Sequence, residues 1–161
     1  MNTLTTFSSA STRLFGKEFA KKNLKVSAEG GSFGGKTENL KPRGAFVIAL
    51  SGELGSGKTT FVQGFVRGLG IKKRMTSPTF IIFRRFKLSA LSFKFLYHVD
   101  AYRIKKSADL AMLGFKEILK NPKNILLIEW PENIKKIVPK EVLWILFKHG
   151  KKENERKIIL K

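Results

Sequence analysis

Residues 45–70 read AFVIALSGELGSGKTTFVQGFVRGLG: an apolar run, a glycine-rich stretch and an amphipathic segment in succession. Residues 52–59 match the pattern G-x-x-x-x-G-K-[ST], which is typical of a phosphate-binding loop. The apolar run before this loop is typical of a buried parallel strand. Apolar residues recur at helical spacing after the loop, and Gly70 is a suitable stop for that helix. The sequence therefore predicts a strand, a phosphate loop and a helix, in that order.

Each residue type in this loop suits contact with a nucleotide. Glycines let successive backbone N–H groups turn toward one point and surround phosphate oxygens. Lys58 can reach the outer phosphates, and the Thr59 hydroxyl is placed to ligate Mg²⁺. Without a nucleotide, we expect the Lys58 side chain to face solvent. The residues predicted to bind the cofactor are Gly52, Glu53, Leu54, Gly55, Ser56, Gly57, Lys58, Thr59 and Thr60.

Length and composition indicate one soluble domain. The chain has 161 residues and no cysteine, which argues against a disulfide framework or a thiolate zinc site. No apolar run approaches the length of a membrane span, and the N-terminal residues lack the pattern of a signal peptide. We therefore expect a cytoplasmic protein whose single domain covers residues 1–161.

The strong positive charge leaves two interpretations open. Lysine and arginine total 32 against 12 acidic residues, a net charge of +20. Such a balance favours an anionic partner, such as nucleic acid or an acidic protein surface. The lysines are dispersed in pairs along the chain, however, and no aromatic signature of an RNA-binding module lies between them. A merely solvated lysine-rich surface explains the same composition.

The remaining segments predict an α/β domain with a mixed, largely parallel sheet flanked by helices. Residues 28–41 contain four glycines but no preceding apolar strand, which predicts a flexible surface loop despite its likeness to a shifted phosphate-loop pattern. Ser11 and Thr12 are the expected cap of a first helix. The other predicted elements are helices at 13–22, 107–113 and 115–120, a strand pair at 79–88 and 91–99, and strands at 125–128, 142–147 and 157–160.

Two acids follow predicted strands. Asp100 comes directly after residues 95–99, and Glu129 comes directly after residues 125–128. In open α/β sheets, ligands bind beyond the carboxyl ends of the strands, so both acids are candidates to face the nucleotide. Turnover of a bound nucleotide needs an acid near Mg²⁺ and a group that places water. We predict Lys58, Asp100 and Glu129 as catalytic residues, and Thr59 with Glu129 as the metal ligands.

Three further residues are candidate switch elements. Thr79 lies after the predicted helix, in a stretch where many NTPases keep a mobile segment. Arg103 could stabilise developing charge or pair with an acid. Trp130 follows Glu129 and is a candidate moving wall of the site, although an ordinary packed aromatic explains it nearly as well. His98 shares a strand face with Asp100, where a histidine that packs in the core or contacts a site residue from behind is the simpler interpretation.

Five motifs in order resemble the TsaE (YjeE) family of small bacterial ATPases. They are GELGSGKTT at 52–60, SPTF at 77–80, YHVDAYR at 97–103, LGF at 113–115 and IEWP at 128–131. The resemblance runs from Ser11 to the C-terminus. The glycine-rich stretch at 28–41 departs from the family by its length.

The resemblance implies a function in tRNA modification. It implies that ATP with Mg²⁺ occupies the loop, with Thr59 and Glu129 near the metal, and that Asp100 is the second acid needed for ATP hydrolysis. It also implies two cytoplasmic partners, TsaD and TsaB, which transfer a threonylcarbamoyl group to adenosine 37 of tRNAs that read codons starting with A. In this scheme the chain contacts tRNA indirectly and resets the partners through its ATP cycle.

A small-molecule P-loop kinase is the alternative from another class. Such kinases usually carry an arginine-rich lid and an acceptor pocket, and this chain leaves little room for them; Arg84 and Arg85 are its one adjacent arginine pair. A GTPase is disfavoured because the chain has no Asn-Lys-x-Asp motif. A regulator that binds nucleotide with negligible turnover differs from an ATPase mainly in rate, which sequence alone does not determine.

Overall fold

The computed structural model describes residues 2–24, 44–72, 82–88, 93–104 and 107–161. The loop predicted at 28–41 and the candidate switch residue Thr79 lie outside these residues. The strands are β1 Asn2–Thr6, β2 Phe46–Gly52, β3 Phe83–Lys87, β4 Phe95–Asp100, β5 Asn124–Glu129, β6 Leu143–His149 and β7 Arg156–Leu160. The helices are α1 Ser9–Asn23, α2 Lys58–Gly68, α3 Ser107–Ala111 and α4 Phe115–Lys120, and a 3₁₀ turn covers Pro131–Ile134.

All seven described strands form one sheet in the order β1-β7-β6-β2-β5-β4-β3. The four central strands, β6, β2, β5 and β4, run parallel to one another. Antiparallel pairs complete both margins, β3 with β4 on one side and β6 with β7 and β7 with β1 on the other. The predicted fold class, a mixed sheet with a parallel centre and flanking helices, is confirmed.

The core lies on both faces of the central strands because most residues in the middle of those strands are apolar. Every residue of β5 is buried, as expected for a parallel strand covered by helices. Side chains of α1 and α2 fill one face, where Phe61 and Phe65 pack among buried strand residues. The other face is filled from α4 and the 3₁₀ turn, with Phe115 and Ile134 fully covered.

Helix α1 packs directly against α2, and glycines allow the close approach. A Cβ at Gly64 would lie 1.9 Å from the carbonyl oxygen of Arg13, and one at Gly16 would lie 2.3 Å from that of Phe61. Any larger residue at either position would have to push the helices apart. Because α2 begins at the phosphate loop, its packing against α1 fixes the orientation of the helix N-terminus relative to the loop.

Two boundaries near the N-terminus differ from the prediction. Helix α1 begins at Ser9 and not after Thr12, because Ser8 and Ser11 form a reciprocal capping box one turn earlier. Strand β1 was not predicted at all, and it pairs with β7 from Asn2 opposite Leu160 to Thr6 opposite Arg156. Within the described ranges, no helix is long and apolar enough to cross a bilayer.

Candidate nucleotide site

The predicted phosphate loop connects β2 to α2 at the carboxyl edge of the sheet. Gly57 precedes the helix with φ 101°, in the left-handed region that glycine adopts readily. Gly52 has φ 135°, and a Cβ there would lie 2.2 Å from the carbonyl oxygen of Phe147 on β6. Glycine is therefore required at both ends of the turn, and the loop opens onto the N-terminus of α2, where exposed N–H groups and the helix dipole favour an anion.

Side chains bond four successive carbonyl oxygens of this loop. Lys58 Nζ donates to the carbonyl oxygens of residues 52 and 53, at 2.6 and 2.8 Å. His149 Nε2 donates to the oxygen of residue 54 at 3.1 Å, and Arg156 Nε donates to that of residue 55 at 3.1 Å. In a trans peptide the N–H points away from the C=O, so a bond that fixes the direction of a carbonyl also fixes the direction of the amide in the same peptide unit.

Lys58 is buried, which corrects the expectation of a solvent-facing side chain. It is 4% exposed, and its Nζ lies 3.9 Å from the centroid of the Trp130 ring. The two carbonyl bonds and the ring replace the solvation that the ammonium group loses. Burial lowers the pKa of Lys58, and the nearby carboxylates of Glu129 and Glu132, together with other acids, oppose that shift.

Thr59 and Glu129 meet beside the loop. The Thr59 hydroxyl donates to the Glu129 carboxylate, at 2.8 Å from Oε2 and 3.1 Å from Oε1. Glu129 ends β5 and is 2% exposed, so its carboxylate is held almost out of solvent. His98 on β4 contacts the same carboxylate, with Nε2 at 2.8 Å from Oε1. The structure therefore brings together the two residues predicted as metal ligands and adds a histidine to them.

Asp100 lies next to Glu129 across the sheet. The two residues are register partners at the ends of β4 and β5, as the strand-exit argument predicts. Asp100 is partly exposed, and its Oδ1 accepts a hydrogen bond from the Tyr102 backbone N–H at 3.1 Å. The Glu129 carboxylate is thus buried and contacted by two side chains, whereas Asp100 is partly exposed at the end of the adjacent strand.

Trp130 covers the site in an unusual backbone conformation. Its φ of 58° is the one positive value among the non-glycine residues that the structure describes. Its N–H donates to the carbonyl oxygen of Leu50 on β2, and its ring packs 4.9 Å from that of Tyr102. A left-handed tryptophan costs about 1 kcal/mol or more, and such strain often accompanies functional sites. Its position over Lys58 agrees with the predicted wall of the site; its movement remains a prediction.

The oxygen ligands present fit a magnesium ion held together with phosphates. In the described part of the chain, no group of three or more His, Cys, Asp or Glu side chains could hold a metal without other ligands. Mg²⁺ usually takes one or two protein carboxylates and completes its shell with water and substrate phosphates. The Thr59 hydroxyl and the Glu129 carboxylate, adjacent at the helix N-terminus, supply that small set of hard oxygens.

Sequence reasoning missed three contacts of this site. His149 and Arg156 were not predicted, although a strand placed next to β2 would have brought the end of β6 beside the loop. Glu132 was also missed; it accepts a hydrogen bond from the Ser51 hydroxyl at the end of β2. Arg103 lies exposed in the turn after β4, and its predicted role stays a prediction.

Comparisons with known proteins show which family the chain belongs to. A sequence model described as "Threonylcarbamoyl adenosine biosynthesis protein TsaE" matches residues 8–158. The crystal structure of YdiB from Bacillus subtilis superposes with a TM-score of 0.69 at 28% identity, over 99% of this chain and 83% of that one.

Curated relatives carry the name "tRNA threonylcarbamoyladenosine biosynthesis protein TsaE". The one from Borreliella burgdorferi is 41% identical over 100 residues, which cover 62% of this chain and 70% of the relative. Those from Bacillus subtilis and Haemophilus influenzae are 38% and 32% identical, over 70% and 78% of this chain and 66% and 68% of the relatives. Because the family model spans nearly the whole chain and includes the phosphate loop, Asp100 and Glu129, this protein belongs to the TsaE family.

Proposed function

We propose that this protein is a magnesium-dependent ATPase that supports TsaD and TsaB in threonylcarbamoylation of adenosine 37 of tRNA. The proposal places ATP on residues 52–60 and a magnesium ion between Thr59 and Glu129. One observation carries it: the Thr59 hydroxyl lies 2.8 Å from a nearly buried Glu129 carboxylate, at the end of the phosphate-loop motif at residues 52–59. Magnesium at this pair would neutralise charge on the phosphates.

The residues of the chain divide the work of hydrolysis. The loop amides and the N-terminus of α2 bind the phosphates, and Lys58 exchanges its two carbonyl bonds for phosphate oxygens. Glu129 and Thr59 hold the metal. Asp100, which is partly exposed at the same edge of the sheet, orients the attacking water. Trp130 covers Lys58 and keeps bulk water from it.

The direct test is phosphate release from ATP with the purified protein. We expect magnesium-dependent release that is slow for the protein alone and faster when TsaD and TsaB are added. A kinase arm runs in parallel, with small acceptor alcohols and acids as candidate phosphate acceptors. No ATP binding, or phosphate transfer to an acceptor in place of release to water, would overturn the proposal.

The net charge of +20 supports the proposed partnership through the association rate. Long-range attraction to an acidic TsaD–TsaB–tRNA assembly acts before contact and accelerates encounter. Salt near 0.1 M screens exposed charges beyond about 10 Å. The on-rate measured by stopped flow should therefore fall as salt rises to physiological levels, whereas ATP binding should change less. A salt-independent on-rate would assign the lysines to surface solvation alone.

A further inference from the structure

His98 is a buried histidine that the chemistry proposed above does not use. It lies on β4, is 0% exposed, and places Nε2 2.8 Å from Glu129 Oε1. The strand register sets Asp100 beside Glu129 and His98 beside Leu127. His98 is therefore the diagonal neighbour of Glu129 on the same face of the sheet, two residues before Asp100. The imidazole reaches the carboxylate because adjacent strands bring such diagonal pairs together.

The surroundings of the second ring nitrogen, Nδ1, indicate which nitrogen of His98 carries the proton. His98 Nδ1 is buried and has no hydrogen-bond partner among the residues that the structure describes. A proton on Nδ1 would be a buried donor without an acceptor, which is unfavourable. A proton on Nε2 instead faces the carboxylate of Glu129. We therefore assign the tautomer that donates from Nε2, so the ring gives its one strong hydrogen bond to Glu129.

His98 contacts one oxygen of Glu129, whereas Thr59 contacts both and lies closer to the other. Oε1 accepts from His98 at 2.8 Å, while Oε2 makes the shorter of the two contacts with Thr59, also at 2.8 Å. We propose that His98 is a positioning residue, which holds Oε1 of Glu129 so that Oε2 faces Thr59 and the metal that this pair would bind. The inference rests on the proposed function, since it concerns the same magnesium site.

The consequence is specific to the magnesium-bound state. Thr59 can turn its lone pairs to a cation, so its bond to Glu129 does not by itself fix the carboxylate. The described side-chain hydrogen bond of His98 goes to Glu129, and no described hydrogen bond joins His98 to the phosphate loop. Loss of His98 should therefore leave nucleotide binding without metal unchanged and weaken the gain in affinity that magnesium brings. Partners that orient a metal ligand typically change metal affinity by about 10- to 100-fold.

Two nearly isosteric variants separate the hydrogen bond from packing. In His98→Gln the amide nitrogen occupies the place of Nε2, whereas His98→Met fills similar space without a donor. ADP affinity is measured by calorimetry for each protein, with Mg²⁺ and with a chelator. We expect the wild type and His98→Gln to show the same magnesium-dependent gain, and His98→Met to lose at least about tenfold of it. Metal-free ADP affinity should agree among all three.

A third variant keeps the test valid if His98→Met does not fold. His98→Asn keeps an amide but places it near the Nδ1 position, so it should lose the magnesium gain while retaining a polar side chain in the pocket. Thermal unfolding confirms that each variant is folded. An undiminished magnesium gain in His98→Asn or His98→Met overturns the role of His98, as does a gain lost in His98→Gln. A wild type without magnesium-dependent ADP binding would instead overturn the proposed function itself.

Discussion

The phosphate loop is flanked by two sets of side chains that hold it in different ways. The acid side consists of Thr59, His98, Asp100 and Glu129, carried by α2, β4 and β5. Its bonds around Glu129 join side chain to side chain and are buried or partly buried. The basic side consists of His149 and Arg156, carried by β6 and β7, and its bonds join exposed side chains to loop carbonyls.

This difference separates two tasks. Groups on the acid side meet at Glu129 and Thr59, the residues proposed to hold the metal. Groups on the basic side bond carbonyl oxygens of the loop and influence its shape. Changes on the acid side should therefore alter turnover and metal dependence, whereas changes on the basic side should alter nucleotide affinity. Each prediction below tests that division.

Lys58 belongs to neither side, and its loss should have the largest effect. Lys58→Ala removes the cation that meets the phosphates and also releases the carbonyl oxygens of residues 52 and 53. We expect ATP affinity to fall by about 100-fold, as for a charged hydrogen bond of about 3 kcal/mol. Isothermal calorimetry measures the change. Lys22→Ala, with the same charge change at the exposed far end of α1, is the control and should bind ATP normally.

Substitutions on the acid side should reduce the rate of ATP hydrolysis more than they reduce ATP affinity. Glu129→Gln and Asp100→Asn keep side-chain size and should reduce phosphate release on the order of 100-fold. The ATP affinity of Asp100→Asn should change much less, because a group that acts mainly in the transition state affects turnover. Glu129→Gln should in addition lose part of the affinity that magnesium adds, because Glu129 is the proposed metal ligand. Glu132→Gln is the matched control, since it neutralises a neighbouring acid that bonds Ser51 and not Thr59. Normal turnover in both acid-side variants would contradict their assigned roles.

Trp130 should report the state of the acid side. Any movement of Glu129 toward a metal must move the next residue, whose ring lies 3.9 Å from Lys58 Nζ. Adding ATP with Mg²⁺ should therefore change the intrinsic fluorescence of the wild type, and Trp130→Phe should remove most of that response. Trp144→Phe, on β6, provides the comparison and should keep it. A full response in Trp130→Phe would place the signal elsewhere.

The basic side should show the smallest effect. Arg156→Met removes the exposed bond to the carbonyl oxygen of Gly55, which contributes about 1 kcal/mol at most to the shape of the loop. It also removes bonds to the carbonyl oxygens of residues 153 and 155, which lie outside the loop. We expect ATP affinity to fall about fivefold with the rate of bound-state hydrolysis unchanged. Lys157→Met loses the same charge on the neighbouring residue, which is exposed, and should bind like the wild type. A lower hydrolysis rate in Arg156→Met would mean that the two sides are not independent.

Local pattern predicted the centre of the molecule well. Strands β2 and β5 are recognisable as apolar runs, and the loop motif places α2 directly after β2. The acids Asp100 and Glu129 could be placed because parallel strands end at a common edge. The start of α1 was wrong by one turn, because several serines and threonines in succession could each cap it. Strand β1 was missed because its short, exposed sequence has no apolar run.

Contacts between distant segments account for what sequence could not supply. Burial of Lys58 depends on Trp130, whose left-handed backbone is set by the turn after β5 and by a bond to Leu50. The contacts of His149 and Arg156 depend on which strand neighbours β2, and no local pattern encodes sheet order. The sequence left His98 either as a core histidine or as a partner of a site residue, and the register of β4 and β5 identifies Glu129 as the residue it contacts.

Strand order also has a consequence for how the chain is made. Strand β1 precedes every other described strand in the sequence, yet its one described sheet partner is β7, the last of them. During synthesis the pairing edge of β1 therefore stays open until all the residues up to β7 have been made. Removal of residues 156–160 would leave β1 without its described partner and would expose the edge of β6 at the same time. Such unpaired edges promote intermolecular association, so a nascent or clipped chain should aggregate far more readily than the finished protein.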